Sequence, residues 1–175
     1  MQPSAGVSAL RAFAVSLVCA ACTPEAISVL AAPNSAEGAN DSPLRVNVDA
    51  TSVHLPLRAA GERVVFVDLD DAVRRAVDVD LAPSRELLRR RGGHPLDLLV
   101  ELVAARAEQT DGRLVVYLTA RATLRERAGA YVGQTHARAA TAGPSAPEHG
   151  VAVVRQAADA LGAKVADFVA ASLPP

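Results

Sequence analysis

Alternation of apolar and polar residues dominates the chain after residue 43 and predicts a domain built largely from strands. Residues 44–49 place Leu, Val and Val between charged or amide residues, which is the pattern of a half-buried strand. In residues 53–57 the apolar positions have moved to the opposite parity, so we expect a bulge or a break into two strands around Thr51. The apolar run at residues 64–67 predicts another short strand.

The stretch that follows carries the signals of short helices. An aspartate within residues 68–71 is expected to cap a helix that runs to about Val77, since carboxylates are favoured at a helix N-terminus. Residues 85–91 predict one or two further helical turns, which Gly92 and Gly93 would end.

Residues 96–108 fit two structures. The even-numbered residues from Leu96 to Ala104 match one face of a strand, but the same stretch fits a helix nearly as well, with Pro95 in its first turn. We favour the strand, because Asp111 and Gly112 then follow as a tight-hairpin signal. Strands are also predicted at residues 114–124 and from about Ala130 to Thr141.

The last element is an amphipathic helix from Gly150 to Ser172. One apolar stripe recurs at helical spacing along it: Val154, Ala158, Leu161, Val165 and Phe168. A helix with one such stripe packs across one face of a sheet. The sequence therefore predicts an α+β fold, with an antiparallel sheet of four to five strands and the C-terminal helix packed on one face.

The N-terminus has the pattern of an export signal. Arg11 precedes an uncharged run at residues 12–21, which is too short to span a bilayer as a helix. We expect a signal peptide at residues 1–22, a linker at 23–43 and a single domain at 44–173. The stretch from Val18 to Cys22 resembles a lipobox, so Cys22 is a candidate for lipidation; the alternative is ordinary cleavage near Ala20 or Ala21.

Composition and charge narrow the classes of function. The chain has 18 Lys plus Arg against 19 Asp plus Glu, a formal charge of −1, so the basic excess of a nucleic-acid binder is missing. Both cysteines, Cys19 and Cys22, lie in the leader, which excludes a disulfide framework in the domain. The four histidines lack metal-ligand spacing, and we predict no metal, cofactor or catalytic residue. Arg85–Arg91 is the one basic cluster.

Two motifs resemble the haloacid dehalogenase superfamily of phosphatases. VVFVDLDDAV is similar to its first motif and LVVYLTAR to its second, which would make Asp68 the nucleophile, Asp70 the proton-transfer carboxylate and Thr119 a phosphate ligand. This resemblance implies Mg²⁺ and a parallel sheet that brings Asp68 and Thr119 to adjacent strand ends. Ala72 departs from the pattern, and a helix cap and a solvent-facing strand residue are the alternative interpretation.

A second resemblance covers about a third of the chain. The segments LRVNVDATSVHL, YVGQTHARAATAG and GVAVVRQAADALGAKVADFV, together with the leader, are similar to small envelope lipoproteins of bacteria, including the auxiliary lipoproteins of lipid-transport ABC systems. This implies a periplasmic or outer-membrane location and a non-enzymatic role in envelope assembly or transport, and it assigns no functional residue. We expect a protein partner, bound at a sheet edge or at Arg85–Arg91, and a membrane contact through a lipid anchor.

Overall fold

A computed structural model of the chain describes residues 26–27, 42–50, 53–58, 64–92 and 94–173. The predicted signal peptide and most of the predicted linker lie outside these residues. The strands are β1 (Ala26–Ile27), β2 (Leu44–Asp49), β3 (His54–Arg58), β4 (Val64–Asp68), β5 (Leu96–Thr110), β6 (Arg113–Glu126) and β7 (Tyr131–Pro144). The helices are α1 (Asp70–Asp80), α2 (Ala82–Arg91) and α3 (Pro147–Ser172).

The strands form two sheets. The larger has the order β2-β5-β6-β7, in which β5, β6 and β7 are antiparallel and β2 runs parallel to β5. The smaller has the order β1-β4-β3, with β4 antiparallel to β3 and parallel to β1. The mostly antiparallel larger sheet and the helices confirm the predicted α+β class.

The parity shift near Thr51 marks a change of sheet. β2 belongs to the larger sheet and β3 to the smaller one, so the predicted break into two strands is confirmed. Ala50 lies between them and is buried, and its carbonyl accepts a hydrogen bond of 3.1 Å from the Val53 N–H. Because successive strand residues point to opposite faces, moving to a new sheet is one way to bury both apolar sets.

The ambiguous stretch at residues 96–108 is a strand. It forms a long hairpin with β6, and the turn residues Asp111 and Gly112 have φ values of 50° and 74°. Two consecutive positive φ values are typical of a type I′ turn, whose twist matches the strands it joins. The Asp-Gly signal thus predicted both the hairpin and its position.

A bulge in β5 changes which side chains face the core. Leu102 pairs with Ala120 but Ala104 pairs with Thr119, so Val103 is the extra residue. Its side chain is 55% exposed, and Ala104 is exposed as well. The prediction that Ala104 continues the buried face was wrong, since the bulge reverses the parity of the strand after Leu102.

The core lies between the larger sheet and the helices. α3 packs across β6 and β7, and α1 packs against α3 and β2. The inward face of β6 is fully buried along five residues: Val116, Leu118, Ala120, Ala122 and Leu124. On α3, four residues of the predicted stripe are buried, and Phe168 is half-buried against Gly133 of β7. The predicted packing of the terminal helix is confirmed.

The short helices differ in detail from expectation. The N-cap of α1 is Leu69, which provides no side-chain hydrogen bond, so the expectation that an aspartate caps this helix was wrong. Asp70 and Asp71 instead occupy its first turn, where their charge still suits the helix dipole. α2 ends as predicted, because Gly92 adopts a left-handed conformation with φ of 61°.

Candidate functional site

The residues of the dehalogenase resemblance lie apart in the fold. Asp68 ends β4 in the smaller sheet, whereas Thr119 lies in the middle of β6 in the larger sheet, paired with Ala104 and Arg138. A phosphatase of that type needs both at adjacent ends of parallel strands, but β6 is antiparallel to each of its neighbours. The arrangement implied by the resemblance is absent from the described residues, so the expectation of Asp68 and Thr119 at adjacent ends of parallel strands was wrong.

Asp70, the second carboxylate of the same motif, takes part in helix structure. Its Oδ2 accepts a hydrogen bond of 2.8 Å from Nη2 of Arg74, one turn along α1. This bond, together with the nearby aspartates, raises the pKa of Arg74 above its ordinary value. The carboxylate is therefore held toward its own helix by an ion pair.

The basic cluster Arg85–Arg91 is largely paired within α2 and with α1. Arg85 donates to Oδ1 of Asp78 at 2.6 Å. Glu86 accepts from Arg90 at 2.8 Å and from Arg89 at 3.2 Å, and these two bonds lower the pKa of the Glu86 carboxyl. Much of the positive charge of this cluster is balanced by these two carboxylates, which weakens it as a site for an acidic partner.

The histidines form no metal site in the part of the chain that the structure describes. All four are exposed, and no group of three or more His, Cys, Asp or Glu side chains comes together among these residues. Cys19 and Cys22 lie outside the described residues. The prediction of lipidation at Cys22 remains a prediction.

The edge of β7 is the most extensive backbone surface open to a partner. This strand is 14 residues long and ends the order of the larger sheet, so within the described ranges it has a strand neighbour only in β6. Ser145 N–H donates to the Gly112 carbonyl at 3.0 Å, which shows that the odd-numbered positions bond toward β6. The register stays regular from Pro144 back to Gly133, and successive N–H groups of a strand alternate in direction.

It follows that the even-numbered residues of β7 direct their N–H and C=O groups away from β6. These are Gln134, His136, Arg138, Ala140 and Ala142, all of them exposed. Pro144 has the same parity, so the N–H that proline lacks is one that would have faced outward. A second strand laid along this edge would find five N–H donors at a regular spacing of two residues.

The opposite edge of the larger sheet is treated differently. β2 has only six residues, and Nη2 of Arg74 donates to the Val48 carbonyl at 3.3 Å. A side chain of α1 thus occupies a backbone acceptor on this strand. Short length and a covering helix are two ways in which sheet edges are protected from other strands.

The outward face of the larger sheet carries ion pairs around two exposed apolar side chains. Arg121 forms a two-bond pair with Glu101, with both distances 2.8 Å, and this lowers the pKa of Glu101 and raises that of Arg121. Arg106 pairs with Glu108, toward which the Tyr117 hydroxyl also donates at 3.4 Å. Val103 and Tyr117 lie exposed within this set.

The sequence predicted a sheet edge as a binding surface, but it did not single out β7. The amino-acid composition of β7 contains a feature that could have identified this strand. Along Tyr131–Pro144 the only Lys, Arg, Asp or Glu is Arg138, and the only proline is the last residue. Charged residues and proline on an edge strand discourage pairing, so their low number could have marked this strand.

Comparison with known proteins finds several similar solved structures, and two of them are lipoproteins by name. No family model and no curated protein matches the sequence. A minor lipoprotein from Acinetobacter baumannii aligns with a TM-score of 0.45 and 14% identity, over 75% of this chain and 94% of that chain. A protein from Caulobacter crescentus CB15, also named as a lipoprotein, aligns with a TM-score of 0.44 and 16% identity, over 77% and 95% of the respective chains.

Among the described residues, no helix combines the length and the apolar character needed to cross a membrane.

Proposed function

We propose that this chain is an exported, lipid-anchored protein of the bacterial cell envelope, and that it binds a partner protein through the open edge of β7. The role is non-enzymatic: the domain holds or positions another envelope component. The length and openness of the β7 edge carry this proposal.

Export and anchoring are supported by the leader. The uncharged run at residues 12–21 suits the apolar core of a signal peptide, and small residues precede Cys22. A cysteine lipidated at that point would attach the domain to a membrane without a spanning helix.

Partner binding at β7 is supported by backbone geometry. An added strand gains affinity from main-chain hydrogen bonds, and specificity comes from side chains on alternate positions. Outward N–H groups at Gln134, Arg138 and Ala142 lie along the accessible side of the strand, and small residues flank them. A partner could therefore approach the backbone without displacing bulky side chains.

The anchor is tested by metabolic labelling of the producing cells with palmitate. The parent chain should take up label, and processing should stop when the lipoprotein signal peptidase is inhibited with globomycin. Cys22→Ala should lose the label. Cys19→Leu is the matched control that should keep it, because it removes the other cysteine and places there the residue usual at that lipobox position. Undiminished label on Cys22→Ala would exclude anchoring at this residue.

The β7 edge is tested with a photo-reactive amino acid placed at Arg138 or, as a control, at Arg155 on the exposed side of α3. Irradiation of intact cells should give a defined adduct from Arg138 alone. Ala140→Pro removes an outward N–H and should abolish that adduct, whereas Ala140→Val keeps the N–H and should retain it.

Ala139→Pro serves as the contrast for stability. Its N–H belongs to the set that bonds to β6, so this variant should lower the melting temperature, whereas Ala140→Pro should change it much less. An adduct that persists in a folded Ala140→Pro protein would refute partner binding at this edge.

A further inference from the structure

The open edge of β7 carries a single charged side chain near its middle. Arg138 is exposed, and it is the only Lys, Arg, Asp or Glu between Tyr131 and Pro144. In the ladder it lies opposite Thr119 of β6, which in turn lies opposite Ala104 of β5. The row of side chains that ends at Arg138 therefore contains no carboxylate.

The carboxylates of the nearby rows on the outward face are already paired. Both oxygens of Glu101 accept hydrogen bonds of 2.8 Å from Arg121. Glu108 is paired with Arg106. Arg138 forms no ion pair with the other described side chains. Its positive charge is thus left at the open edge, where an added strand would place its own side chains.

Beyond Arg138 the same edge is small and apolar. Ala140 and Ala142 are exposed, and they lie opposite Tyr117 and Val115 of β6. The Tyr117 side chain is 39% exposed and Val115 is half-buried. Because alanine covers little of its neighbours, apolar side chains on an added strand would bury surface here that is otherwise in water.

A second copy of this chain does not complement this edge through its own β7. The strand contains no Asp or Glu, so two β7 strands paired edge to edge bring no carboxylate to Arg138 in any register. An antiparallel pair centred on Arg138 would place the two arginines opposite each other, and like charges at such positions are destabilising. The charge pattern favours a segment of a different protein.

We infer that the occupant of the β7 edge is an extended segment of another protein that places a carboxylate opposite Arg138 and apolar side chains opposite Ala140 and Ala142. The acidic residue and the two apolar residues are then separated by steps of two along the segment, because alternate residues of a strand share a face. This inference rests on the strand binding of the proposed function and names the chemistry of the partner. Main-chain hydrogen bonds supply affinity for any strand, whereas these side chains select this one.

The inference is tested in intact cells with a photo-reactive amino acid at Gln134, an exposed residue of the same edge that leaves Arg138 and the alanines unchanged. An opposite-charge pair across two strands changes affinity about 1.4- to fivefold, and reversal adds a repulsion of similar size. Arg138→Glu should therefore lower the adduct yield about two- to thirtyfold, whereas Arg138→Lys should retain it. Arg155→Glu, a charge reversal on the exposed side of α3, is the matched control and should leave the yield unchanged.

Mass spectrometry of the adduct then identifies the partner segment. It should contain an Asp or Glu with apolar residues two and four positions away. Replacing that acidic residue by lysine in the partner should lower the adduct with the parent chain and restore it with Arg138→Glu. Thermal melts check that the variants are folded, and Arg138→Gln, which removes the charge without reversing it, replaces Arg138→Glu if the latter does not melt like the parent.

The outcomes separate this inference from strand binding itself. If the parent chain gives no adduct from Gln134 or from Arg138, the proposed function fails, and the inference fails with it. If an adduct forms but Arg138→Glu and Arg138→Gln keep the parental yield, or Arg155→Glu lowers it equally, strand binding stands and the acidic partner is overturned. A crosslinked segment that lacks Asp and Glu, or that belongs to a second copy of this chain, overturns it as well.

Discussion

Substitution of Gly162 by alanine probes the contact between α1 and α3. A Cβ atom at Gly162 would lie 2.8 Å from the carbonyl carbon of Ala76, 2.9 Å from its oxygen and 2.8 Å from Oδ2 of Asp80. Real Cβ contacts under 3.0 Å essentially do not occur. Because two of the three atoms belong to the backbone of α1, no side-chain rotation relieves the overlap, and α1 must move away from α3.

The size of the effect follows from two opposing contributions. Overpacking in a well-packed core costs about 1–3 kcal/mol of the free energy of unfolding. Alanine in place of glycine within a helix returns about 1 kcal/mol. Gly150→Ala supplies the reference, since a Cβ there meets Leu57 Cδ1 at 3.4 Å, an ordinary contact with the end of a side chain.

Both variants would be measured by urea unfolding of the full chain, with the free energy of unfolding obtained by linear extrapolation. We expect Gly150→Ala to match or exceed the parent and Gly162→Ala to fall below it. The difference between the two variants should be about 1–3 kcal/mol, since both gain helix propensity and only one overlaps backbone. Equal gains in the two variants would refute the close approach of α1 and α3 at Gly162.

Two further predictions concern the core and the charge around α1. Leu161 is fully buried and Phe168 is half-buried. Leu161→Asp should therefore abolish cooperative thermal unfolding, and Phe168→Asp should lower the melting temperature strongly. A melting temperature equal to that of the parent in either variant would contradict the packing of α3. Burial, followed by the charges of Asp159 and Asp167, raises the pKa of Asp80 above 3.8. The raised pKa means that the ionised Asp80 carboxylate destabilises the folded state relative to the unfolded chain. Asp80→Asn should therefore raise the urea midpoint at neutral pH. This gain should disappear below pH 3.8, where the carboxyl is protonated in both states. An equal gain at both pH values would contradict it.

Local signals predicted the parts of the fold that are determined by neighbours in sequence. The Asp111-Gly112 turn requires positive φ values that few residue pairs adopt, so its position was fixed by chemistry within two residues. The stripe along α3 repeated over several turns, and a strand cannot bury that spacing. Both features depend on residues close together in sequence, so they can be predicted without knowledge of tertiary contacts.

Features set by long-range pairing were not predicted. The β5 bulge at Val103 depends on how β5 meets β6, and the alternation of apolar residues before it gave no sign of the reversal. The parallel pairing of β2 with β5 joins residues about fifty positions apart in sequence. The smaller sheet was not predicted either: strands were expected at residues 53–57 and 64–67, but their pairing with each other and with β1 is a tertiary contact that apolar patterns do not specify.

The dehalogenase motifs show how a local pattern can mislead about chemistry. An apolar strand followed by aspartates at the start of a helix satisfies the sequence motif and also suits an ordinary strand-to-helix junction, where negative charge stabilises the first turn. Catalysis requires a second strand end beside Asp68, and that depends on sheet order. Thr119 lies in another sheet, so the resemblance failed at the level of topology.

The two edges of the larger sheet differ in how well they are protected from other strands. An exposed strand edge is a hazard, since any extended chain can pair with it. At β2 the hazard is small, because the strand is short and Arg74 occupies the Val48 carbonyl. At β7, a strand of fourteen residues, alternate N–H groups face away from β6, and Arg138 is the only Lys, Arg, Asp or Glu along the strand. Among the described residues the shorter edge is covered and the longer one is accessible, and this difference supports the proposed binding of a partner at β7.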